Sequence, residues 1–297
     1  MAAILKERTN MDITPLTEEN YYTKEIDKEY MSVSQFKDFA GTIAKPGCER
    51  TAMKKLTEDI PEKKTTSLLV GSYIDAYFEG TLDKFKEENP EIFKKTGDKG
   101  LLKDYVLAQD VIGKIESDNL FREFMSGQKQ VIMSAWMMNS WWKIKIDSYH
   151  QDKIVDLKVM KDMNAIWSNT LHKKIDFIRY WGYDIQGAVY QEVVRLQTGK
   201  KLPFYLAVAT KENPCDIEII EITQPYLDEA LKFVNDNIEH VLSVKNGLIE
   251  PARCGNCFYC KTDKHLIAPI TIDRIIPKED RLDAPNAAPM TGFTLFE

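Results

Sequence analysis

The chain has 297 residues, enough for one large domain or one domain with appendages. With 43% hydrophobic and 29% charged residues it is too apolar for a disordered chain and ordinary for a soluble globular one. A formal net charge of -6 argues against a wholly basic surface that coats nucleic acid, but it leaves room for a local basic groove.

No apolar run reaches the about 20 residues that cross a bilayer. The opening MAAILKERTNMDITPLTEEN lacks a basic flank with a long apolar core, so neither a membrane span nor a secretory signal is expected. Residues 1–30 read as a polar N-terminal extension with few signs of regular structure. Ser32 or Ser34 can cap a short helix through Phe36 and Phe39, which the stretch from Ala40 to Gly47 breaks. Cys48 then leads into a helical CERTAMKKL. In LLVGSYIDAYFEG, Leu69, Val70, Tyr73, Ile74, Tyr77 and Phe78 fall at helical spacing, Gly80 is a stop, and Asp75 lies beside the apolar stripe. Residues 81–100 are charged and carry Pro90, Gly97 and Gly100, which predicts an exposed excursion; residues 101–125 return to helix.

From Lys129 to Val159 the texture becomes β-branched and aromatic, broken at Asn139-Ser140 and at His150-Gln151-Asp152. This predicts three short antiparallel strands. A long helix is expected from about Lys173 to Gln197, stopped by Gly199. Two strands follow, FYLAVAT and CDIEIIEIT, separated by Pro214. Gln224 to Val244 again has helical spacing, with Leu227, Ala230, Leu231, Val234 and Ile238 on one face. Pro269, Pro277, Pro285 and Pro289 mark a C-terminal tail over residues 266–297. The order predicts an α/β fold, a central mixed sheet flanked by helices.

Within KIKIDSYHQDKIVDLKV, strand alternation puts Asp156 and Lys158 on the same face as Ile154, where ordinary packing would want an apolar residue. A hairpin between Ser148 and Lys153 brings Asp147 close to Asp156. Two neighbouring carboxylates repel, and a divalent cation is the simplest way to keep both ionised. Mg2+ takes oxygen ligands, here Asp147, Asp156 and the backbone carbonyl of Leu157. Lys158 could then position an attacking water and steady charge on a phosphate. The plainer alternative is a surface hairpin with an Asp–Lys salt bridge.

Asp75 is the best third carboxylate, or else a residue at the boundary between buried and wet faces. His150 is expected to face solvent and Asp152 to form the turn. Gln186 and Tyr190 stand four apart on one helix face, where they could hold Lys158 or touch a DNA phosphate; alternatively they are a solvated amide and a core aromatic. Gly187 beside them suits a close approach of backbone or ligand.

Of 5 cysteines, Cys254, Cys257 and Cys260 repeat at the C-x2-C spacing common to zinc and iron–sulfur sites. Cys48 could be the fourth ligand, giving a set that fits zinc or a [4Fe-4S] cluster, or His265 could, which favours zinc. Free thiols in a turn are the alternative. Cys215 reads as a small hydrophobe. An odd number of clustered cysteines suits a reducing compartment, so a cytoplasmic protein is expected.

Together these motifs resemble the PD-(D/E)xK nuclease superfamily in its RecB-like branch, with the nearest likeness to phage-type exodeoxyribonuclease VIII (RecE-like) nuclease domains. GSYIDAYF resembles the early helix with a metal-binding acid or histidine, at Asp75. IDSYHQDKIVDLK resembles the Asp…Asp-x-Lys motif, at Asp147, Asp156 and Lys158. QGAVY resembles the Gln-x-x-x-Tyr motif, at Gln186 and Tyr190, and SVSQFKDF with Cys48 and CGNCFYC resembles the split cysteine set of iron–sulfur members. Many relatives have His where Asp75 stands, and iron–sulfur relatives often have a longer final cysteine interval.

The resemblance implies a restriction-endonuclease-like core over residues 31–265 and catalysis by Asp75, Asp147, Asp156, Lys158, Gln186 and Tyr190. Mg2+ or Mn2+ would be the cation, and Cys48, Cys254, Cys257 and Cys260 would hold a cluster or Zn2+. It further implies phosphodiester hydrolysis at DNA ends, chiefly duplex ends, in phage or prophage recombination beside a single-strand annealing protein. A homo-oligomer is compatible with it. A structure-specific endonuclease, a degenerate DNA-binding module and a metal-stabilised scaffold are the competing readings.

Overall fold

The computed structural model describes residues 13–58, 65–97 and 99–271. The chain begins with α1 (Lys24–Glu29), β1 (Tyr30–Met31) and α2 (Val33–Ala40). Ser32 caps α2 by accepting the Gln35 N–H at 3.2 Å. After β2 (Gly41–Thr42) and β3 (Lys45–Pro46), Cys48 is the N-cap of α3 (Glu49–Thr57). Next comes α4 (Thr66–Glu79), which starts at Thr65 and ends on Gly80 at φ 79, a left-handed cap that glycine adopts without a Cβ clash.

The charged stretch that follows is more ordered than its composition predicts. It forms α5 (Leu82–Glu88) and a 3-10 turn, because Phe85 stacks edge-on against Tyr73 at 6.0 Å and Ile92 is buried. Then come α6 (Lys103–Ser117) and α7 (Asn119–Phe124).

The predicted meander is present as β4 (Gln128–Met137), β5 (Ser140–Tyr149) and β6 (Ile154–Met160). The first turn falls one residue earlier than expected, on Met138 and Asn139 at φ 50 and 61, the left-handed pair that matches strand twist. After β7 (Ile166–Ser168), the long helix expected from Lys173 is three elements: β8 (Lys173–Ile175), α8 (Phe177–Trp181) and α9 (Tyr183–Thr198). Asp176 caps α8 through the Arg179 N–H at 2.9 Å, and Gly182 at φ 66 ends it. The chain closes with β9 (Phe204–Thr210), β10 (Ile217–Ile222), α10 (Gln224–Lys245) and α11 (Phe258–Thr262). The predicted tail lies outside the described residues from 272 onward.

The sheet runs β1-β5-β6-β9-β10, with β4 also paired to β5. β1–β5 and β6–β9 are parallel and the other pairs antiparallel, so the sheet is mixed as expected. Alternation along the strands feeds two cores. Trp142, Ile144, Ile146, Phe204 and Leu206 pack toward Phe36, Val189 and Val234 of α2, α9 and α10. Val155, Leu157, Ala207 and Ala209 pack toward Val70, Ile74, Val111 and Ile115 of α4 and α6. The result is three layers, helix–sheet–helix.

Candidate active site

β5 is covered on its β6 side only near its two ends. Trp141 and Trp142 pair with Tyr30 and Met31, while Ser148 and Tyr149 pair with Val155 and Ile154. Among the described residues no strand pairs with positions 143–147 on that side. The register that sets Ser148 opposite Val155 would next set Asp147 opposite Asp156. The strands part at that step and the acids sit at the fork.

Asp147 fills the missing ladder bond itself, its Oδ2 accepting the Leu157 N–H at 2.9 Å. The N–H and C=O of one strand residue point to the same side, so the Leu157 carbonyl also faces the fork. Gln130 Nε2, opposite on β4, stands 3.4 Å from Asp147 Oδ1. Asp156 is buried; its Oδ1 accepts the Gln186 amide at 2.6 Å. Asp156 Oδ2 is ion-paired with Lys158 Nζ but has no hydrogen bond of good geometry, an under-satisfied buried oxygen.

The electrostatics are those of acids short of positive charge. Burial, reinforced by Asp156, pushes Asp147 up to about 8. Burial pushes Asp75, which reaches the same cavity from α4, up to about 7 against the pull of Lys158. Lys158 goes the other way. Burial would lower it, yet Asp156 and Asp147 outweigh that and hold it above its ordinary value, so it is an ammonium at neutral pH and not a general base. Its Nζ lies 5.2 Å from the Tyr183 ring centroid.

Gln186 grips Asp156, not Lys158 as one sequence reading had it. Tyr190 is buried and donates its hydroxyl to the Lys145 carbonyl at 3.0 Å, tying α9 to the bare edge of β5. Burial keeps this phenol far from ionising. Gly187 explains how α9 comes so near: a Cβ there would lie 2.7 Å from the Phe204 ring and 2.9 Å from Leu227.

Asp75, Asp147, Asp156, Leu157, Lys158, Gln186 and Tyr190 all line one cavity of about 1070 Å³. The carboxylates of Asp75, Asp147 and Asp156 do not all gather within 4.8 Å; among the described residues only the four thiols below meet that distance.

Sequence reasoning missed the cavity's basic lining of Lys37, Lys143 and Lys145. Lys143, Lys145 and Asp147 alternate along one strand, a signal that could have been read. The residues before Met31 were also missed. They form α1 and send Tyr21, Tyr22, Lys24 and Asp27 to the cavity, because Tyr21 is buried and Lys143 Nζ pairs with Asp27 at 2.7 Å. His150 does not simply face solvent: its Nε2 meets the Phe124 carbonyl at 2.8 Å and Ser148 Oγ at 3.1 Å.

The thiols of Cys48, Cys254, Cys257 and Cys260 lie within 4.8 Å of one another. Cys48 Sγ is 3.7 Å from Cys257 and 3.5 Å from Cys260, and Cys254 is 4.0 Å from Cys260. Thr51 Oγ1 stands 3.1 Å from Cys257 Sγ. His265 is exposed and outside the group, so Cys48 is the fourth member. Burial opposes ionisation of Cys48, but bonds from Thr51 and the Cys254 backbone bring it down to about 6. Burial and the neighbouring sulfurs push Cys260 up to about 11. Four such thiols cannot all ionise without a cation among them. Cys215 stands apart, half-buried against the α4–α6 core.

A family model described as "PDDEXK-like domain of unknown function (DUF3799)" matches residues 32–263. The chain belongs to this PDDEXK-like family. The PD-(D/E)xK superfamily resemblance and the mixed-sheet α/β fold expected from the sequence both stand. The crystal structure of "Putative exonuclease" from Eubacterium rectale is 50% identical, with a TM-score of 0.83, over 89% of this chain and 98% of that one. No curated protein matches the sequence.

Proposed function

We propose that the chain is a divalent-cation-dependent DNA exonuclease that hydrolyses phosphodiester bonds at DNA ends. The reading rests above all on two carboxylates, Asp147 and Asp156, facing each other where β5 and β6 part, with the Lys158 ammonium beside them. The donors suit Mg2+ or Mn2+: carboxylate oxygens of Asp147 and Asp156, the Leu157 carbonyl, and Asp75 from the other layer, with one buried oxygen of Asp156 under-satisfied. When bound, such a cation supplies an activated water and neutralises charge on the scissile phosphate.

The chain's own residues then have separate tasks. Lys158 stays protonated and draws a phosphate oxygen to the fork. Gln186 orients Asp156, and Tyr190 pins α9 to β5 so that the fork keeps its width. Lys37, Lys143 and Lys145 lead the polyanion inward. The nuclease unit therefore begins before Met31, since Tyr21 to Asp27 help wall the cavity. The name carried by the Eubacterium rectale relative supports action at ends, and the phage-type resemblance extends the reading to recombination beside an annealing protein.

End-labelled DNA incubated with the protein and Mg2+ or Mn2+ should release short products, and Asp156→Ala should stop this. Release that survives the substitution, or persists in chelator, overturns the proposed site.

The thiol group favours one tetrahedral ion. A cation held at about 2.3 Å by four sulfurs sets them about 3.8 Å apart. The measured 3.5, 3.7 and 4.0 Å separations match, whereas a four-iron cube needs sulfurs spread much wider. We assign the group to Zn2+.

A further inference from the structure

The catalytic cavity carries aromatic rings that nucleotide-independent chemistry does not require. Tyr22 and Phe258 line it, and each is 73% exposed. Leaving two large rings in water is unfavourable unless something covers them. Each is braced from behind. Tyr22 stands edge-on to buried Tyr21 at 4.9 Å, and Lys145 Nζ lies 5.2 Å from its centroid. Phe258 stands edge-on to Tyr259 at 5.3 Å and is placed between Cys257 and Cys260 of the thiol group. The rings are thus presented by fixed supports, one from the segment before α1 and one from the thiol-held turn.

Lys24, Lys55, Lys143 and Lys145 line the same cavity. Cations that track a backbone, interleaved with exposed rings, are the physical signature of a surface for unpaired nucleic acid. In an intact duplex the bases stack on one another and offer no face to a protein ring. Only a strand whose bases are unstacked can use Tyr22 and Phe258. The acids lie beneath these rims, at the fork of β5 and β6, so a phosphate must be carried into the cavity to reach them.

We infer that the cavity admits one unpaired strand of DNA, with Tyr22 and Phe258 as the rings on which its bases stack. The preferred substrate is then a single-stranded end or tail, and not the blunt duplex end that the family resemblance suggests. This rests on the nuclease reading for the kind of polymer.

The test measures binding by fluorescence anisotropy and, separately, cleavage. An unstructured oligodeoxynucleotide, a blunt duplex and a duplex with a single-stranded tail are compared, first with Ca2+ for binding and then with Mg2+ or Mn2+ for cleavage. The single strand and the tailed duplex should bind at least about tenfold more tightly than the blunt duplex. Tyr22→Ala and Phe258→Ala should each weaken single-strand binding by about tenfold, the loss of one base–ring stack. Tyr22→Phe should bind as the parent does, and Tyr22→Leu, which keeps bulk without a ring face, should behave as Tyr22→Ala. Equal binding of blunt duplex and single strand overturns the inference. So does parental affinity in the Tyr22→Ala and Tyr22→Leu proteins, both exposed-site changes whose folding is checked by thermal melting. Tight, ring-dependent binding without any cleavage would defeat the nuclease reading alone, and cleavage with no strand preference would defeat this inference alone.

Discussion

The carboxylate of Asp147 takes the place of a backbone carbonyl in the sheet, accepting the Leu157 N–H at 2.9 Å where β5 and β6 have already separated. One side chain thereby satisfies a strand amide and holds the fork at a fixed width. It also fixes Asp147 with a free oxygen toward Asp156.

That double role separates two substitutions. Asp147→Asn can still accept the Leu157 N–H, so it should fold with a melting temperature close to the parent's while cleavage falls at least about 100-fold. Asp147→Ala leaves the amide without a partner and should also lose about 1–3 kcal/mol of stability. Single-turnover cleavage and chemical denaturation of the two variants check this; parental cleavage by Asp147→Asn would remove Asp147 from the site.

Gln186 positions Asp156 through a 2.6 Å bond to Oδ1. A hydrogen bond to a charged group contributes about 1.5–3 kcal/mol, so Gln186→Ala should lower kcat about 10- to 100-fold with a small change in KM. Gln186→Met, equal in length without a donor, should be as poor. A change confined to KM would instead mean that Gln186 touches substrate.

Metal analysis of the purified protein should find one zinc per chain and no visible iron–sulfur absorption. Cys48→Ser should lose the zinc and melt at lower temperature, since Cys48 joins α3 to the turn that carries Cys254, Cys257 and Cys260. A brown protein with iron and labile sulfide would reject the single-ion assignment.

Lys245 is buried, with Nζ donating to the carbonyls of Asp27 and Tyr30 and to Gln35 Oε1 at 2.8, 2.7 and 2.8 Å. Burial, partly offset by Asp27 and reinforced by Lys143, brings its pKa down to about 8. An unfolded lysine titrates near about 10.4, so between these values the unfolded chain binds more protons and stability from this group rises with pH. The stability difference between the parent and Lys245→Met should therefore grow from pH 8 to about 10. At pH 7 the variant should already lose about 2–3 kcal/mol from three acceptors left without a donor. Denaturant titrations across that range check both; a difference that shrinks with rising pH would contradict the direction.

Gly187→Val should destabilise the fold by about 1–3 kcal/mol, because the Cβ meets the Phe204 ring and Leu227 in the α9–β9 contact. Thermal melting decides it, and an unchanged melting temperature would mean that the helix shifts freely.

Periodicity and short motifs carried much of this molecule. The alternation in KIKIDSYHQDKIVDLKV placed Asp156 and Lys158 on one strand face, and the four-residue step from Gln186 to Tyr190 placed both on one helix face, as the structure has them. These are local properties, set by the strand period of two and the helical repeat. The sequence also singled out Cys48 for the thiol group, though only packing of α3 against the last turn excluded His265.

Tertiary structure alone decided what those faces meet. That β5 and β6 pair at only two positions and then part follows from β1 and α9 competing for the same edge, which no window of sequence reports. The same holds for Gln186 choosing Asp156 over Lys158, and for the wall made by Tyr21, Tyr22, Lys143 and Lys145. Local residue choice determines which side chains share a face. Long-range packing and burial determine which faces close on one another, and so which charges must compensate each other.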